Sequence, residues 1–320
     1  MELGFVGLGR MGGNMVRRLS KAGHHCHIYA SSAETREELA GETGATSWPE
    51  LPALVAALSP PRVIWVMVPA GEVTGRVLSE LASLCSPGDV IVDGGNSHFK
   101  ESARRARALA ETGILMVDCG TSGGVFGLTR GYSLMLGGTD EAMVRIAPVL
   151  ATLAPGIGAA ERTPARIGGP VAPGEQGWLH CGKAGSGHYV KMVHNGIEYA
   201  IMQAYAEGYE LLTTQHELIP EVGPVFKAWQ RGTVVRSWLL ELLVRALDED
   251  SGLSELEGVV EDSGEGRWTV EEGIRNAVPL HTIAAALFAR FESRQEDSPA
   301  MKAIAALRQQ FGGHAVRSAE

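Results

Sequence analysis

Gly7-Leu8-Gly9-Arg10-Met11-Gly12 fits the pattern G-x-G-x-x-G; it closes a short apolar run, residues 2–7, and precedes a helical pattern over residues 15–22. Glycines in this arrangement permit a tight turn, let the backbone approach a pyrophosphate, and let the helix pack closely on the strand. The first turn of the helix adds free N–H groups and the positive end of its dipole. A purely structural glycine turn can share the pattern, but the strand–turn–helix context favours a dinucleotide-binding turn made by all six residues.

Strand-like and helical patterns alternate through the first half of the chain. Short apolar runs predict further strands at 25–30, 62–68, 90–93, 114–118 and 132–136. Helical spacing separates them at 33–40, at 73–84, after Ser97, and from Thr139 to about residue 153. This alternation is typical of a parallel sheet covered by helices. The sequence therefore predicts an α/β, Rossmann-type N-terminal domain with a parallel-rich sheet.

The second half of the chain has a different pattern. Residues 157–177 are rich in Gly, Pro and Ala with little periodicity, which predicts a loop or linker. From His188 onward the apolar spacing is helical, and helices are predicted at 186–215, 224–247, 268–293 and 298–311. We therefore expect a dinucleotide-binding domain over 1–177, ending in the 157–177 linker. An all-helical domain with a C-terminal tail is expected over 178–320, and a role for it in substrate binding and dimerisation is implied by the family resemblance described below.

Composition narrows the class of protein. The 320 residues carry a formal net charge of −9, which argues against nucleic acid or an anionic membrane as partner. No stretch is expected to approach the roughly 18 uncharged apolar residues of a membrane span, and the N-terminus lacks a signal-peptide pattern. The four cysteines are widely spaced and show no metal-ligand or redox pairing, so we expect reduced thiols, no metal and a cytoplasmic location.

The end of the second predicted strand bears on the choice of cofactor. An NAD-binding unit usually carries Asp or Glu here to hold the ribose 2′-OH. The chain has Ala30-Ser31-Ser32 instead, with Arg36 a helical turn further on. Two hydroxyls and an arginine suit a 2′-phosphate better, although Glu34 is close by. The prediction is NADP in preference to NAD.

The segment 187–199 is the most informative for chemistry. On a helix Lys191, His194 or Asn195, and Glu198 lie one above another, because their spacing is three to four residues. A solvated helix face with one Lys–Glu pair would show the same spacing. The glycines at 185 and 187 and the Asn195-Gly196 pair argue against that interpretation, since mid-helix glycine costs about 1 kcal/mol and indicates the close approach of another group.

Such a stripe fits the oxidation of a hydroxyl group. A desolvated lysine can have a pKa low enough to take the hydroxyl proton as hydride leaves the carbon. If a carboxylate lies β to the new ketone, CO2 is lost and an enol forms. A carboxylic acid such as Glu198 could then donate a proton to the enol carbon.

With these residues in view, the chain resembles the decarboxylating 6-phosphogluconate dehydrogenases, in their short bacterial form, over nearly its whole length. The segments that carry the resemblance are GLGRMGGN at 7–14, DGGNS at 93–97, SGG at 122–124, 191–199, GRWT at 266–269, FAR at 288–290 and FGGH at 311–314. The resemblance implies oxidative decarboxylation of 6-phosphogluconate to ribulose 5-phosphate and CO2, in the pentose phosphate pathway.

The resemblance also implies residue roles. Lys191 would be the general base and Glu198 the general acid, with Asn195 and His194 beside them. Val68, Pro69 and Ala70 would border the cofactor, and Asn96 would touch both nicotinamide and substrate. The sugar-acid carboxylate and hydroxyls would be held by Ser122, Gly123, Gly124, His194 and Asn195. The phosphate would be held by Tyr199, Arg267 and Arg290. Arg308 and His314 would reach a neighbouring subunit's site in a homodimer or homotetramer.

The chain departs from the family pattern at several places. Position 267 is Arg where long members have lysine, residues 30–32 match neither cofactor class, and the helical domain is small. Two alternatives stay open: a β-hydroxyacid dehydrogenase that oxidises a small acid without losing CO2, and a catalytically silent NADP-binding regulatory protein. Glu198, Tyr199 and the arginines at 267 and 290 favour the phosphorylated substrate, and intact Lys191 and Glu198 argue against a silent protein.

Overall fold

A computed structural model describes residues 1–312, 315 and 317, with the backbone alone at 311 and 312. Eight strands form one sheet in the order β3-β2-β1-β4-β5-β6-β7-β8. Their bounds are β1 Glu2–Val6, β2 His25–Tyr29, β3 Thr46–Ser47, β4 Val63–Val66, β5 Val90–Asp93, β6 Leu115–Ser122, β7 Ser133–Gly137 and β8 Trp178–Gly182. All neighbouring strands pair in parallel except β6 and β7, which are antiparallel. The predicted Rossmann-type α/β fold with a parallel-rich sheet is confirmed.

Seven helices accompany the sheet. They are α1 Arg10–Lys21, α2 Ala33–Thr43, α3 Leu51–Ala57, α4 Glu72–Leu84, α5 Phe99–Ala110, α6 Gly127–Arg130 and α7 Asp140–Leu153. The N-cap of α7 is Thr139, whose side chain accepts the N–H of Ala142, and Asp140 and Glu141 occupy its first turn. Both features stabilise a helix N-terminus.

The sheet has a buried cluster on each face. One cluster includes Phe5, Trp65 and Val117 from the strands with Val16 of α1 and Ile146 of α7. The other joins alternate strand residues to α3, α4 and α5, and its members include Val6, Leu54, Ile64, Leu81, Ile91 and Leu109. Because side chains alternate along a strand, near-continuous apolar strands bury both faces of the sheet. This explains the continuous apolar runs in the sequence.

The chain divides into two compact units, Met1–Met192 and Val193–Glu320, and the division falls inside α8 Ser186–Thr213. The second unit contains α9 Gly223–Trp229, α10 Trp238–Glu249, α11 Glu265–Arg275, α12 His281–Glu292 and α13 Pro299–Gly312. It has two small apolar clusters, one around Phe226 and Leu240 and one around Tyr199 and Leu287. The predicted domain boundary at 177/178 stays a prediction.

Several sequence-predicted elements differ from the structure. The strands β3 and β8 and the short helix α3 were not predicted, and β8 lies inside the segment expected to be all-helical. The single helices expected at 224–247 and 268–293 are each two helices. The second is interrupted after Arg275, where Asn276 and Ala277 end α11 and Ala277 has a φ of +54°. Apolar periodicity continues across such short breaks, so the pattern alone cannot locate them.

One expectation from composition was wrong. The 20 residues Asp140–Ala159 are long and apolar enough to cross a membrane by length and composition alone. In the fold, α7 ends at Leu153, and one side of it, including Ile146 and Leu150, is buried in a sheet cluster. The hydropathy of this stretch is therefore explained by packing on the sheet.

Candidate active site

The turn between β1 and α1 has the geometry of a dinucleotide-binding turn. Gly7 has a φ of +95°, and a Cβ there would lie 2.3 Å from the carbonyl oxygen of Met67. A Cβ at Gly12 would lie 2.1 Å from the carbonyl oxygen of Gly7, whereas one at Gly9 would meet nothing within 4 Å. Two glycines are thus needed for internal packing, and the third leaves the backbone open on its outer side.

The beginning of α1 suits an anion. Its N-cap is Gly9, no side chain caps its N–H groups, and no acidic residue occupies its first turn. Leu8 is buried, Arg10 is exposed and Met11 is half-buried. Backbone N–H groups and the helix dipole are therefore available to a diphosphate, so the residues present fit the pyrophosphate of a nicotinamide dinucleotide.

Two further predicted cofactor segments lie at the carboxyl ends of β4 and β5. Val68, Pro69 and Ala70 follow β4, and the buried Thr74 hydroxyl donates a hydrogen bond of 2.9 Å to the Pro69 carbonyl. Asn96 follows β5 and is exposed. A Cβ at Gly95 would lie 2.9 Å from the Val68 carbonyl oxygen, so the two turns are in direct contact. Ligands of open α/β sheets bind at this edge.

The loop after β2 presents Ser31 and Ser32 to the surface. Ser32 is the N-cap of α2, and its Oγ accepts the N–H of Thr35. Arg36 is only 8% exposed, and its Nη1 donates to the Ala30 carbonyl at 2.6 Å. The arginine expected to face a 2′-phosphate thus supports the loop backbone.

The predicted substrate residues Ser122, Gly123 and Gly124 lie at the carboxyl end of β6, where Ser122 is the last residue of the strand and the two glycines begin the following loop. Gly123 and Gly124 have φ angles of +130° and +52°, values that favour glycine. The side-chain amide of Asn14 on α1 donates to the Val125 carbonyl at 3.2 Å, which ties this loop to the helix of the dinucleotide turn. The structure therefore brings the predicted cofactor and substrate segments of the first unit to one edge of the sheet.

Lys191 lies on α8 and is 8% exposed. A Cβ at Gly120 of β6 would lie 2.4 Å from the Lys191 Cβ, so the helix rests almost directly on the strand that leads to Ser122. A Cβ at Gly187 would lie 2.4 Å from the Met135 carbonyl oxygen. The glycines at the helix start are thus explained by close packing of α8 on the sheet.

The other predicted catalytic residues belong to the second unit. Asn195 is 8% exposed, and its Oδ1 lies 3.0 Å from Nδ1 of His194. His194 Nδ1 is also 3.7 Å from a Glu198 carboxylate oxygen, and both side chains are more than a third exposed. A Cβ at Gly196 would lie 2.7 Å from Cγ2 of Thr269, so packing against α11 explains the mid-helix glycine.

Tyr199 and Arg290 form a stacked pair. The guanidinium carbon of Arg290 is 3.4 Å from the centroid of the Tyr199 ring, and Arg290 Nη1 donates to the Glu261 carbonyl. The Tyr199 hydroxyl accepts the N–H of Ser263 at 3.1 Å. These contacts hold a planar cation in one orientation, as recognition of a phosphate or carboxylate requires.

Arg267 is engaged by a carboxylate that the sequence analysis did not identify. Its Nε and Nη2 donate to the two oxygens of Asp262 at 2.8 and 2.9 Å, and Arg294 Nη2 donates to the same side chain at 3.1 Å. Hydrogen bonding to Arg267 is the main cause that lowers the pKa of Asp262 to about 2. Neither Asp262 nor Arg294 belongs to the motifs used in the sequence analysis, and no periodic signal distinguishes them.

Of the two predicted tail residues, only one belongs to the part of the chain that the structure describes. Arg308 is exposed on α13. His314 lies outside the described residues. Among the residues that the structure describes, no group of three His, Cys, Asp or Glu side chains could hold a metal ion.

The fold and the glycine turn define a dinucleotide-binding protein of the Rossmann type. Comparison with known families is more specific. The model of the NAD-binding domain of 6-phosphogluconate dehydrogenase matches residues 2–161, and the model of the C-terminal domain of 6-phosphogluconate dehydrogenase matches residues 187–318. The chain belongs to the 6-phosphogluconate dehydrogenase family.

Curated relatives agree with this family. The NAD(+)-dependent, decarboxylating 6-phosphogluconate dehydrogenase of Haloferax volcanii is 42% identical over 99% of this chain and 98% of its own length. The Bacillus subtilis enzyme of the same description is 34% identical over 91% of this chain but only 61% of its own length. The chain thus matches short relatives end to end and spans about three fifths of a long one.

Solved structures show the same fold. The 6-phosphogluconate dehydrogenase of Plasmodium falciparum has a TM-score of 0.79 and 25% identity, over 100% of this chain and 67% of its own. A 3-hydroxyisobutyrate dehydrogenase from Salmonella typhimurium has a TM-score of 0.69 and 18% identity, over 90% of this chain and 92% of its own. The second likeness shows a shared fold alone.

Proposed function

We propose that this chain oxidises and decarboxylates 6-phosphogluconate to ribulose 5-phosphate and CO2. The observation that carries the proposal is the stacked pair of Arg290 and Tyr199, with Arg267 on the neighbouring helix α11. A small unphosphorylated hydroxyacid offers one carboxylate, whereas a phosphorylated sugar acid carries a phosphate in addition, which calls for further cations such as Arg290 and Arg267. The names of the relatives at 42% and 34% identity support the same substrate.

In the proposed chemistry two residues of α8, Lys191 and Glu198, each transfer a proton. Lys191 takes the proton of the hydroxyl group as hydride leaves the same carbon, and the nicotinamide cofactor accepts that hydride. The resulting ketone is β to the carboxylate, so the bond to CO2 breaks, and its electron pair forms an enol as protonated Lys191 gives its proton to the ketone oxygen. Glu198, seven residues further along α8, donates a proton to the enol carbon while Lys191 takes the proton of the enol oxygen, which gives the ketone product. Proton exchange with solvent then returns Lys191 and Glu198 to their starting states.

The remaining assignments concern substrate position. Asn96, Ser122, Gly123 and Gly124 lie at or just after strand ends, and we assign them to the sugar acid together with His194 and Asn195. Asn96 and Gly124 are exposed, and both glycines have backbone angles that favour glycine, which supports these roles. Arg308 and His314 are assigned to the site of a neighbouring copy in a homodimer or homotetramer. The cytoplasm and the pentose phosphate pathway are the setting that we infer.

We propose NADP as the preferred cofactor. Support comes from the absence of a carboxylate at residues 30–32 and from the exposed hydroxyls of Ser31 and Ser32. Arg36 contributes to this loop by donating a hydrogen bond to the Ala30 carbonyl, and it does not present an exposed guanidinium to the cofactor. The Haloferax volcanii relative, which is named NAD(+)-dependent, makes a direct comparison of initial rates with NAD and NADP the deciding measurement.

The function is tested by mixing the purified protein with 6-phosphogluconate and either cofactor, and by following cofactor reduction and CO2 release together. We expect equal amounts of both products. The Glu198→Gln variant should bind cofactor as the wild type does and lose most turnover, while Glu207→Gln, further along the same helix, should keep it. Reduction without CO2 release would favour a β-hydroxyacid dehydrogenase, and full activity of Glu198→Gln would refute the acid assignment.

A further inference from the structure

The carboxylate of Asp118 lies beneath the beginning of α8. Asp118 belongs to β6, is fully buried, and pairs with Gly137 of β7. One carboxylate oxygen accepts the N–H of Gly185 at 2.5 Å, and the other accepts the N–H of His188 at 2.8 Å. The first N–H groups of a helix have no partner within the helix, so Asp118 satisfies two groups that would otherwise be buried without an acceptor.

The surroundings of Asp118 leave little room for α8 to move. A Cβ at Gly137 would lie 2.5 Å from Asp118 Oδ1, and one at Gly187 would lie 2.6 Å from the Asp118 carbonyl oxygen. The ring of His188 is buried, and its Nδ1 lies 2.7 Å from the Ser102 hydroxyl of α5. Strand and helix therefore meet backbone to backbone, and the first turn of α8 is held from two sides.

Burial of the carboxylate has an electrostatic consequence. Desolvation raises the pKa of Asp118, while His188 and the two backbone N–H groups oppose that rise. A negative charge is favoured at a helix N-terminus because it complements the helix dipole. The buried Asp118 carboxylate is thus a hydrogen-bond acceptor inside the fold, and its charge is stabilised by the N-terminus of α8, the helix whose N–H groups it accepts.

We infer that Asp118 is a positioning residue for Lys191, acting through the first turn of α8. Lys191 is one turn beyond His188 on α8. A Cβ at Gly120, two residues after Asp118 on β6, would lie 2.4 Å from the Lys191 Cβ. Because the Asp118 carboxylate accepts the N–H of His188, it fixes the distance between the start of α8 and β6. That distance determines where the Lys191 side chain lies relative to Ser122 at the end of β6. The inference rests on the proposed role of Lys191 as base.

The Asp118→Asn variant tests the inference. The amide has one acceptor oxygen instead of two and presents N–H groups to the backbone N–H of α8, so the helix start must shift. We expect kcat with 6-phosphogluconate to fall by about tenfold to a hundredfold, because misplacement of a catalytic group by about 1 Å can cost a hundredfold. The KM values for both cofactors should change less than about twofold, because the glycine turn is formed by other elements.

Asp89 provides a matched control. It is also fully buried, and its two oxygens accept the N–H groups of Arg62 and Ser86 at 2.6 and 2.9 Å. It precedes β5, at the opposite edge of the sheet from the predicted site. Asp89→Asn should lower thermal stability as Asp118→Asn does, yet keep kcat. The inference would be overturned if Asp118→Asn kept the wild-type kcat. It would also be overturned if kcat fell by the same factor in Asp89→Asn as in Asp118→Asn.

A measurement on the wild type covers the case in which Asp118→Asn does not fold. Residue-resolved hydrogen exchange should show slow exchange at Gly185 and His188, although first-turn amides usually exchange fast. Fast exchange at both would overturn the inference without reference to activity. A wild-type protein that binds cofactor but does not turn over 6-phosphogluconate would instead contradict the proposed function, and the exchange result would still decide whether Asp118 anchors α8.

Discussion

The guanidinium of Arg290 lies over the ring of Tyr199, with its central carbon 3.4 Å from the ring centroid. The stack, the bond from Arg290 to the Glu261 carbonyl and the Ser263 N–H on the Tyr199 hydroxyl fix the orientation of the cation. A cation held in this way can bind phosphate with little further loss of side-chain freedom.

Arg290→Lys keeps the charge and loses the planar stack, so it isolates the contribution of geometry. We expect the KM for 6-phosphogluconate to rise by about tenfold, since a stacked, hydrogen-bonded cation contributes on the order of 1–2 kcal/mol. The KM for the cofactor should stay unchanged. Arg275→Lys, an exposed arginine of α11 paired with Glu272, is the control. An unchanged KM for 6-phosphogluconate in Arg290→Lys would exclude a phosphate-binding role for the stack.

A carboxylate at the end of β2 should change the choice of cofactor. Ser31→Asp would place a negative charge in the exposed loop where the 2′ substituent of the adenosine ribose is expected, which favours a 2′-OH and repels a 2′-phosphate. We expect the ratio of kcat/KM for NADP to that for NAD to fall by at least about tenfold, equivalent to about 1.4 kcal/mol. Ser83→Asp on α4 makes the same charge change elsewhere and should leave the ratio as it is. An unaltered ratio in Ser31→Asp would place the 2′ substituent elsewhere.

The stability of the first unit should fall on mild acidification because of His27. Burial is the main cause that lowers the pKa of His27, with a smaller contribution from His25 and an opposing one from Glu2. Trp48 Nε1 donates to His27 Nδ1 at 2.9 Å, a bond that needs this nitrogen unprotonated. The unfolded chain therefore binds a proton near pH 6.5 that the folded chain does not, and the stability rises with pH through this window.

We expect the urea concentration at the unfolding midpoint to fall as pH is lowered from about 7.5 to about 5.5, on either side of the unfolded-state value. His27→Gln should be less stable at the upper pH and should show a weaker dependence on pH. His24, whose pKa is also lowered by burial, maintains part of the slope in both proteins. Parallel pH profiles for the two proteins would contradict the assignment to His27.

Two glycines of α8 should respond in opposite ways to the same substitution. A Cβ at Gly196 would lie 2.7 Å from Thr269, whereas one at Gly208 would meet nothing within 4 Å. Gly208→Ala should therefore raise the free energy of unfolding by up to about 1 kcal/mol, the difference in helix propensity. Gly196→Ala should lower it by about 1–3 kcal/mol, the usual range for overpacking. Thermal unfolding of both variants provides the comparison, and stabilisation of Gly196→Ala would show that α11 can move away from α8.

Local patterns predicted much of the fold for physical reasons that act over a few residues. A buried parallel strand must be apolar on both faces, so β1, β4 and β5 were recognisable as apolar runs. The strand β8 escaped prediction because its residues, Trp178–Gly182, are mostly half-buried and their pairing partner β7 is about 40 residues earlier. Pairing over such a distance leaves no local periodicity.

The sequence by itself determined the strand–turn–helix unit of the dinucleotide site and the spacing of Lys191 and Glu198 along α8, because backbone sterics and helical geometry depend only on nearby residues. Only the tertiary structure decided that Arg36 supports its own loop, that Asp262 pairs with Arg267, and that Asp118 holds the start of α8. The Asp118 contact joins segments 67 residues apart, whereas the Arg36 and Arg267 contacts span six and five residues, and packing of the surrounding elements decides which nearby group each arginine takes. Burial then makes an unpaired charge costly, so the packed fold selects the partners.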